Sequence, residues 1–256
     1  ADSIRGIDVS AWQGVIDWNK VKASGIKFVM IRAAYGMTAD TKFKVNIEGA
    51  QKAGLDTGVY LYTLATTTAK AREEAQFLLS LIKPYKLTYP VAFDAEDNAT
   101  IGKLSNEART SVVEAFFDVI EGAGYYGILY ASLNWMNNYF VQGRIARYDK
   151  WVAQWSSTLS YKGAGIWQYS ATGHTPHFGA PFGTHIIAPS SINAWLNVPD
   201  LLPGITFKNS FSTFVFTDCF KISLSSSMIL AYTRRTFPST AGTGRSYAMD
   251  ATAPAV

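Results

Sequence analysis

Two carboxylates stand one residue apart in Phe93-Asp94-Ala95-Glu96-Asp97, directly after the apolar run Tyr89–Phe93. Period-two alternation along a strand puts Asp94 and Glu96 on one side, with backbones roughly 6.6 Å apart at about 3.3 Å per residue. Two acids so placed suit glycoside hydrolysis. One stays protonated and donates to the leaving oxygen, and the other stabilises or attacks the cationic sugar carbon. Mutual repulsion raises one pKa of such a pair, as an acid catalyst near neutral pH requires. Taken alone, the same acids also fit a solvated turn or a magnesium site.

A second group lies in Gly6-Ile7-Asp8-Val9-Ser10-Ala11-Trp12-Gln13-Gly14. Asp8 points into the mouth that holds Asp94 and Glu96 if the first strand lies near the fourth across a flattened barrel. Trp12 offers a flat apolar face on which a sugar ring can stack. A capping Asp and a core Trp are the equally good structural reading. Aromatic residues recur at strand ends, as Tyr35, Tyr60, Tyr62, Tyr130, Trp155, Trp167 and Tyr169, and part of this set belongs to any barrel core. With Gln154 and Gln168 beside them, a sugar-binding mouth is expected that includes Tyr35, Tyr62, Tyr130, Trp155 and Gln168. His174 and His177 flank Pro176 in a loop and lack a suitably spaced third ligand, so no metal site is expected. No cofactor is implied. The single cysteine, Cys219, forms no intramolecular disulfide and reads as a packing residue.

The elements that must position these groups follow from hydrophobic rhythm. Strands are expected at Ile4–Val9, Phe28–Ala33, Thr57–Leu64, Tyr89–Asp94, Gly127–Ala131, Lys150–Gln154 and Gly165–Tyr169. Thr41–Ala53, Ala69–Ile82 and Asn106–Ala123 read as helices. The last carries an apolar stripe of Ala108, Val112, Val113, Phe116, Phe117 and Ile120. Ser24-Gly25, Ala53-Gly54 and Ala123-Gly124 stop helices just before strands, where glycine supplies the left-handed cap. Alternating strands and helices imply parallel strands with right-handed crossovers. The expected fold is therefore α/β, a single flattened (β/α) TIM-like barrel with its last strand unassigned. Its chemistry belongs at the C-terminal ends of the strands.

Composition changes after Ser170. Residues 171–256 hold seven of the nine prolines, 21 serines and threonines, and only 8 charged residues against 34 in the first 170. A boundary is expected near residue 170, with 1–170 the barrel and 171–256 a divergent Ser/Thr/Pro-rich region. An open barrel exposes two strand edges, so a closing element is expected within 171–210, with Ile192, Trp195 and Leu196 docking there. Residues 236–256 are expected to be a flexible tail.

Hydrophobic residues are 48% and charged residues 16% of the chain, a globular balance. No apolar run is long enough for a membrane span, and the start lacks a signal-peptide layout. A net charge of +4 suits a polyanionic partner. A solvated, mildly basic surface, an acidic membrane surface and an anionic cell wall all fit that charge, and no basic cluster or nucleic-acid motif raises the nucleic-acid option.

Together these pieces resemble the family 25 glycoside hydrolases, the Chalaropsis-type lysozymes. The matching residues are Gly6–Gly14, Arg32-Ala-Ala-Tyr-Gly36, Asn46 with Ala53-Gly54, Gly58-Val-Tyr-Leu-Tyr62, Phe93-Asp-Ala-Glu96, Trp151-Val-Ala-Gln-Trp155 and Ile166-Trp-Gln-Tyr169, in the family's order over residues 4–170. The resemblance implies a barrel that cleaves the β-1,4 bond between N-acetylmuramic acid and N-acetylglucosamine of peptidoglycan. It makes Glu96 the general acid. Asp94 stabilises the transition state, directly or by orienting the acetamido group, and Asp8 supports the site. An extracellular or wall-located monomer is expected.

One departure stands out. The family usually continues to a Val-Asp-x-Asn strand whose Asp completes the acidic cluster, whereas residues 171–199 contain no acidic residue, and Asp200 comes first in an unlike context. A catalytically impaired barrel that binds wall polysaccharide is thus the alternative reading. A metal-dependent sugar deacetylase is disfavoured, because no histidine precedes residue 174.

Overall fold

The computed structural model describes residues 4–173 and 182–187. All described residues belong to one compact unit. Its elements run β1 (Ile4–Val9), α1 (Trp18–Ala23), β2 (Phe28–Tyr35), β3 (Thr38–Ala39), α2 (Phe43–Lys52), β4 (Asp56–Tyr62), α3 (Thr68–Ile82) and β5 (Val91–Asp94). There follow α4 (Asn106–Gly122), β6 (Gly127–Ser132), α5 (Leu133–Asn138), α6 (Gln142–Ile145), β7 (Asp149–Ala153), β8 (Ile166–Gly173) and β9 (Phe182–Ile187).

Strands β1, β2, β4, β5, β6, β7 and β8 pair in parallel, in that order. β9 lies antiparallel between β8 and β1 and closes the ring. β3 is a short antiparallel return on the end of β2. No described helix is long and apolar enough to cross a membrane.

Local sequence explains the crossovers. Thr67 caps α3 by accepting from the Lys70 N–H, and Ser105 caps α4 by accepting from the Ala108 N–H. Gly54 (φ 74°) and Gly124 (φ 87°) turn the chain from helix into strand.

Strand alternation sorts the side chains into two layers. Val29, Ile31, Leu61 and Phe93 face outward and pack with helix residues such as Val112, Phe116 and Phe117. Phe93 stacks on Phe116 at 4.1 Å. Phe28, Met30, Ala92, Ile128, Tyr130, Trp151 and Ile166 form a separate inner cluster. Glycine makes room for the larger members. A Cβ on Gly6 would lie 2.2 Å from the Phe28 ring, and one on Gly58 would lie 2.5 Å from the Met30 sulfur. Large and small residues must alternate where eight strands leave space only for packed side chains.

Strand bounds agree with expectation within two residues, except that β8 runs on to Gly173, through the boundary expected near residue 170. The closing strand is Phe182–Ile187, inside the expected 171–210 window, and it runs antiparallel to both neighbours, a direction the expectation left open. His174, His177, Ile192, Trp195, Leu196, Asp200, Cys219 and the 236–256 tail lie outside the described residues.

The apolar stripe of α4 needs one correction. Ala108 is exposed and its neighbour Arg109 is buried instead. The Arg109 guanidinium donates to the carbonyls of Ile101 (3.0 Å), Gly102 (3.0 Å), Leu104 and Tyr139, and to Asn106 Oδ1 (2.9 Å). It fastens the loop after β5 to the end of α5, a polar task that a hydrophobic pattern does not register.

Candidate active site

Asp94 is the last residue of β5, in register with Tyr62 on β4 and Tyr130 on β6. Its inner-layer predecessor is Ala92, so alternation alone aims Asp94 into the barrel mouth. The carboxyl is buried, and its Oδ1 has no hydrogen-bond partner among the described residues. Burial pushes its pKa well above the usual carboxylate range, and the charges of Glu96 and Asp8 push the same way, against the pull of Arg32.

Glu96 lies beyond the end of β5, so strand alternation does not fix its side chain. The neighbouring strand does. The Ser132 N–H, at the end of β6, donates to Glu96 Oε2 at 2.6 Å. Burial raises the Glu96 pKa, and the hydrogen bonds from Ser132 only partly offset it. Two facing carboxyls titrate as a pair rather than as separate groups. With both raised, the pair retains a proton above the pH at which an exposed carboxylate loses it.

Asp8, near the end of β1, joins this cluster through Gln168. Gln168 on β8 is buried and acts as a hub. Its Oε1 accepts from Tyr130 Oη (3.2 Å) and Trp155 Nε1 (3.0 Å), while its Nε2 donates to Asp8 Oδ2 (2.8 Å). Those two donors settle which end of the amide faces Asp8. Gln168 and Tyr130, expected to line a sugar-binding mouth, are mostly enclosed and organise it from below.

The exposed rim is aromatic. Trp155 is 67% exposed although its indole N–H is tethered to Gln168, so its face remains open. Trp12 is 78% exposed on the turn after β1, and Tyr35 is 44% exposed at the end of β2. Tyr35 stacks on Tyr62 at 4.9 Å. Tyr62 in turn donates to Asp97 Oδ1 (3.2 Å), and Thr100 Oγ1 donates to Asp97 Oδ2 (2.5 Å). Burial works to raise the Asp97 pKa, but Thr100, neighbouring N–H groups and Tyr62 outweigh it and hold the carboxyl low. Asp97 therefore serves as an ionised brace rather than a proton donor.

The structure thus brings together Asp8, Asp94, Glu96, Tyr130 and Gln168, with Tyr35 and Tyr62 on one side of the mouth and Trp155 on the other. Asp40 went unnoticed in the sequence. Its buried carboxylate accepts from Arg32 Nε (2.8 Å) and from the N–H groups of Ala11 (2.9 Å) and Lys42 (2.8 Å). It ties the Trp12 turn to the end of β2. Its position just before α2 reads in sequence as an ordinary helix cap. Ser132 and Asp97 were equally silent, since each acts through a partner more than 30 residues away.

Closing strand β9, Phe-Gly-Thr-His-Ile-Ile, carries no acidic residue, and its Gly183 stands in register with Asp8. The acid that the resemblance leads one to expect on the closing strand is therefore absent from β9.

The family model for glycosyl hydrolases family 25 matches residues 7–178. Lysozyme M1 of Streptomyces globisporus is 28% identical over 185 residues, covering 66% of this chain and 63% of that protein. The autolytic lysozyme of Clostridium acetobutylicum is 30% identical over 176 residues, covering 66% of this chain and 51% of that protein. The match thus spans between half and two thirds of these relatives' length. The crystal structure of a bacterial lysozyme from Streptomyces coelicolor superposes with a TM-score of 0.67 at 25% identity, covering 77% of this chain and 99% of that one. With the model matched across most of the barrel, the chain belongs to glycosyl hydrolases family 25.

Proposed function

We propose that the chain hydrolyses peptidoglycan, cleaving the β-1,4 bond from N-acetylmuramic acid to N-acetylglucosamine, with Glu96 as general acid. The observation that carries this reading is the buried Asp94–Glu96 pair with a free oxygen on Asp94. An unpartnered buried acceptor is costly, so the site is poised for a ligand that brings a donor. A sugar acetamido N–H is such a donor. Its hydrogen bond to Asp94 Oδ1 favours the ionised form of Asp94 and leaves the shared proton on Glu96. Glu96 then protonates the leaving glycosidic oxygen. Asp94 stabilises the cationic sugar carbon, directly or by holding the acetamido group against it, until water adds to that carbon and returns its proton to Glu96. Asp8, held by Gln168, adds negative potential from β1.

Trp155, Trp12 and Tyr35 supply stacking faces for the sugar chain, as the exposed aromatic rim supports. The net charge of +4 suits an anionic wall outside the cell. Residues 1–170 with the closing strand form the catalytic unit, and the Ser/Thr/Pro-rich remainder is a separate region.

The acid-free β9 favours a second reading, a barrel that binds wall polysaccharide without cutting it. Product analysis separates the two. Purified sacculi treated with the full chain, reduced with borotritide and analysed by mass spectrometry should carry new labelled muramitol ends. Labelled glucosaminitol ends would mean that the bond assignment is wrong, and binding with no new ends would establish the non-catalytic reading.

A further inference from the structure

Arg32 follows Phe28 and Met30 in the inner alternation of β2, and its charge faces Asp94. Asp40, whose side chain is fully buried, holds it by Nε alone at 2.8 Å. The terminal guanidinium nitrogens have no partner among the described residues, and the side chain keeps 17% of its surface accessible. That surface opens on a pocket of about 380 Å³ lined by Trp12, Arg32, Tyr35, Thr38, Asp40 and Thr41.

The pocket thus joins a half-used guanidinium fork to aromatic walls and hydroxyl groups. A fork of this kind matches a planar carbonyl or carboxylate. Its place relative to the acids is set by the ring. β2 is two strands from β5, through β4, or about 10 Å at ~4.8 Å per strand. A pyranose ring over Asp94 with a short acyl arm on its β4 side spans that distance.

Both sugars of the proposed substrate carry an acetamido group, which the reading above places at Asp94, and only N-acetylmuramic acid carries a further planar carbonyl, on its 3-O-lactyl group. We propose that the Trp12–Arg32–Tyr35 pocket receives this lactyl arm, with Arg32 donating to its carbonyl oxygens, and so discriminates muramyl from glucosaminyl units. The assignment rests on the muramidase reading above and names the residue that gives it sugar specificity. The lactyl carbonyl is an amide where a stem peptide is attached and a carboxylate where it is not, and the fork accepts both.

The test compares the full-length wild type with Arg32→Gln and Arg32→Lys on three substrates. These are intact glycan strands, peptide-stripped strands with free lactyl carboxylates, and stripped strands whose carboxylates have been reduced to alcohols. Because Arg32 also faces Asp94, its loss shifts kcat and the pH profile on every substrate, so KM is the readout. For Arg32→Gln, KM should rise roughly tenfold or more on intact and stripped strands, with little change on reduced strands. Arg32→Lys, a point charge without the fork, should fall between. An equal KM rise on all three substrates, or none, would overturn the assignment. Should the variants fail to fold, competition on the wild type decides. Free N-acetylmuramic acid should inhibit more strongly than N-acetylglucosamine, and equal inhibition would refute the pocket. Failure of the muramidase reading shows separately, as absence of muramyl reducing ends with the wild type, while calorimetric binding of N-acetylmuramic acid still reports on the pocket.

Discussion

The two ends of the barrel interior use the same strands and differ by a step of two residues. Moving up the pleat, Gly6 gives way to Asp8, Ala92 to Asp94, Ile128 to Tyr130 and Ile166 to Gln168. The lower end is apolar and closed, with Phe28 stacked on Tyr89 at 4.7 Å and seated over Gly6. The upper end holds carboxyls and amides, and one of its buried oxygens has no partner. The lower end gains its stability from dispersion and burial. The upper end gives up stability by desolvating acids, and that unfavourable state is what makes the acids reactive. A step of two residues along the inner face thus separates the residues that hold the barrel together from those proposed to act on substrate.

Mutations should respect that division. Phe28→Ala is expected to have the largest effect on stability, a loss of about 3–5 kcal/mol. The folded fraction should keep normal activity per molecule, as calorimetry and active-site titration would reveal. A specific loss of activity in fully folded Phe28→Ala protein would break the division.

Asp94→Asn should do the reverse, lowering kcat by roughly 10²–10³-fold with no fall in melting temperature. The sign with pH follows from the raised native pKa of Asp94. A carboxyl raised on folding favours the native state below its ordinary pKa, and that stability is lost as pH rises through the native value. An asparagine side chain does not titrate and loses nothing there. The variant should therefore melt above the wild type near neutral pH, with the gap closing in acid. Glu96 is raised by burial rather than by Asp94, so the alkaline limb of residual activity should stay close to its wild-type position. A gap that widens in acid would contradict this picture of the pair.

Much of this was legible in sequence, for reasons specific to each part. Long strands and the helices α2, α3 and α4 announce themselves by periodicity and by glycine stops, and Asp94 and Asp8 follow from alternation on β5 and β1. Helices of four to six residues, α1, α5 and α6, are too short to show a period. β9 sits in a segment without strand–helix rhythm, so its direction could not be read. Within the site, Glu96 was found as part of a motif, but its orientation depends on a Ser132 N–H that no pattern marks. Asp40 and Asp97 resemble ordinary caps and loop acids until their partners are seen. Arg109 looks like a surface charge on α4, yet it is buried because backbone carbonyls from two loops converge on it.

The central claim is that Glu96 carries the proton delivered to the glycosidic oxygen. The direct measurement is the rate at which Glu96→Gln clears a suspension of purified cell walls, taken beside its melting curve. The account predicts a cooperative melt close to wild type and a clearing rate lower by about 10²–10⁴-fold, because the amide cannot donate that proton. A well-folded Glu96→Gln protein that still clears walls at near wild-type rate would contradict it.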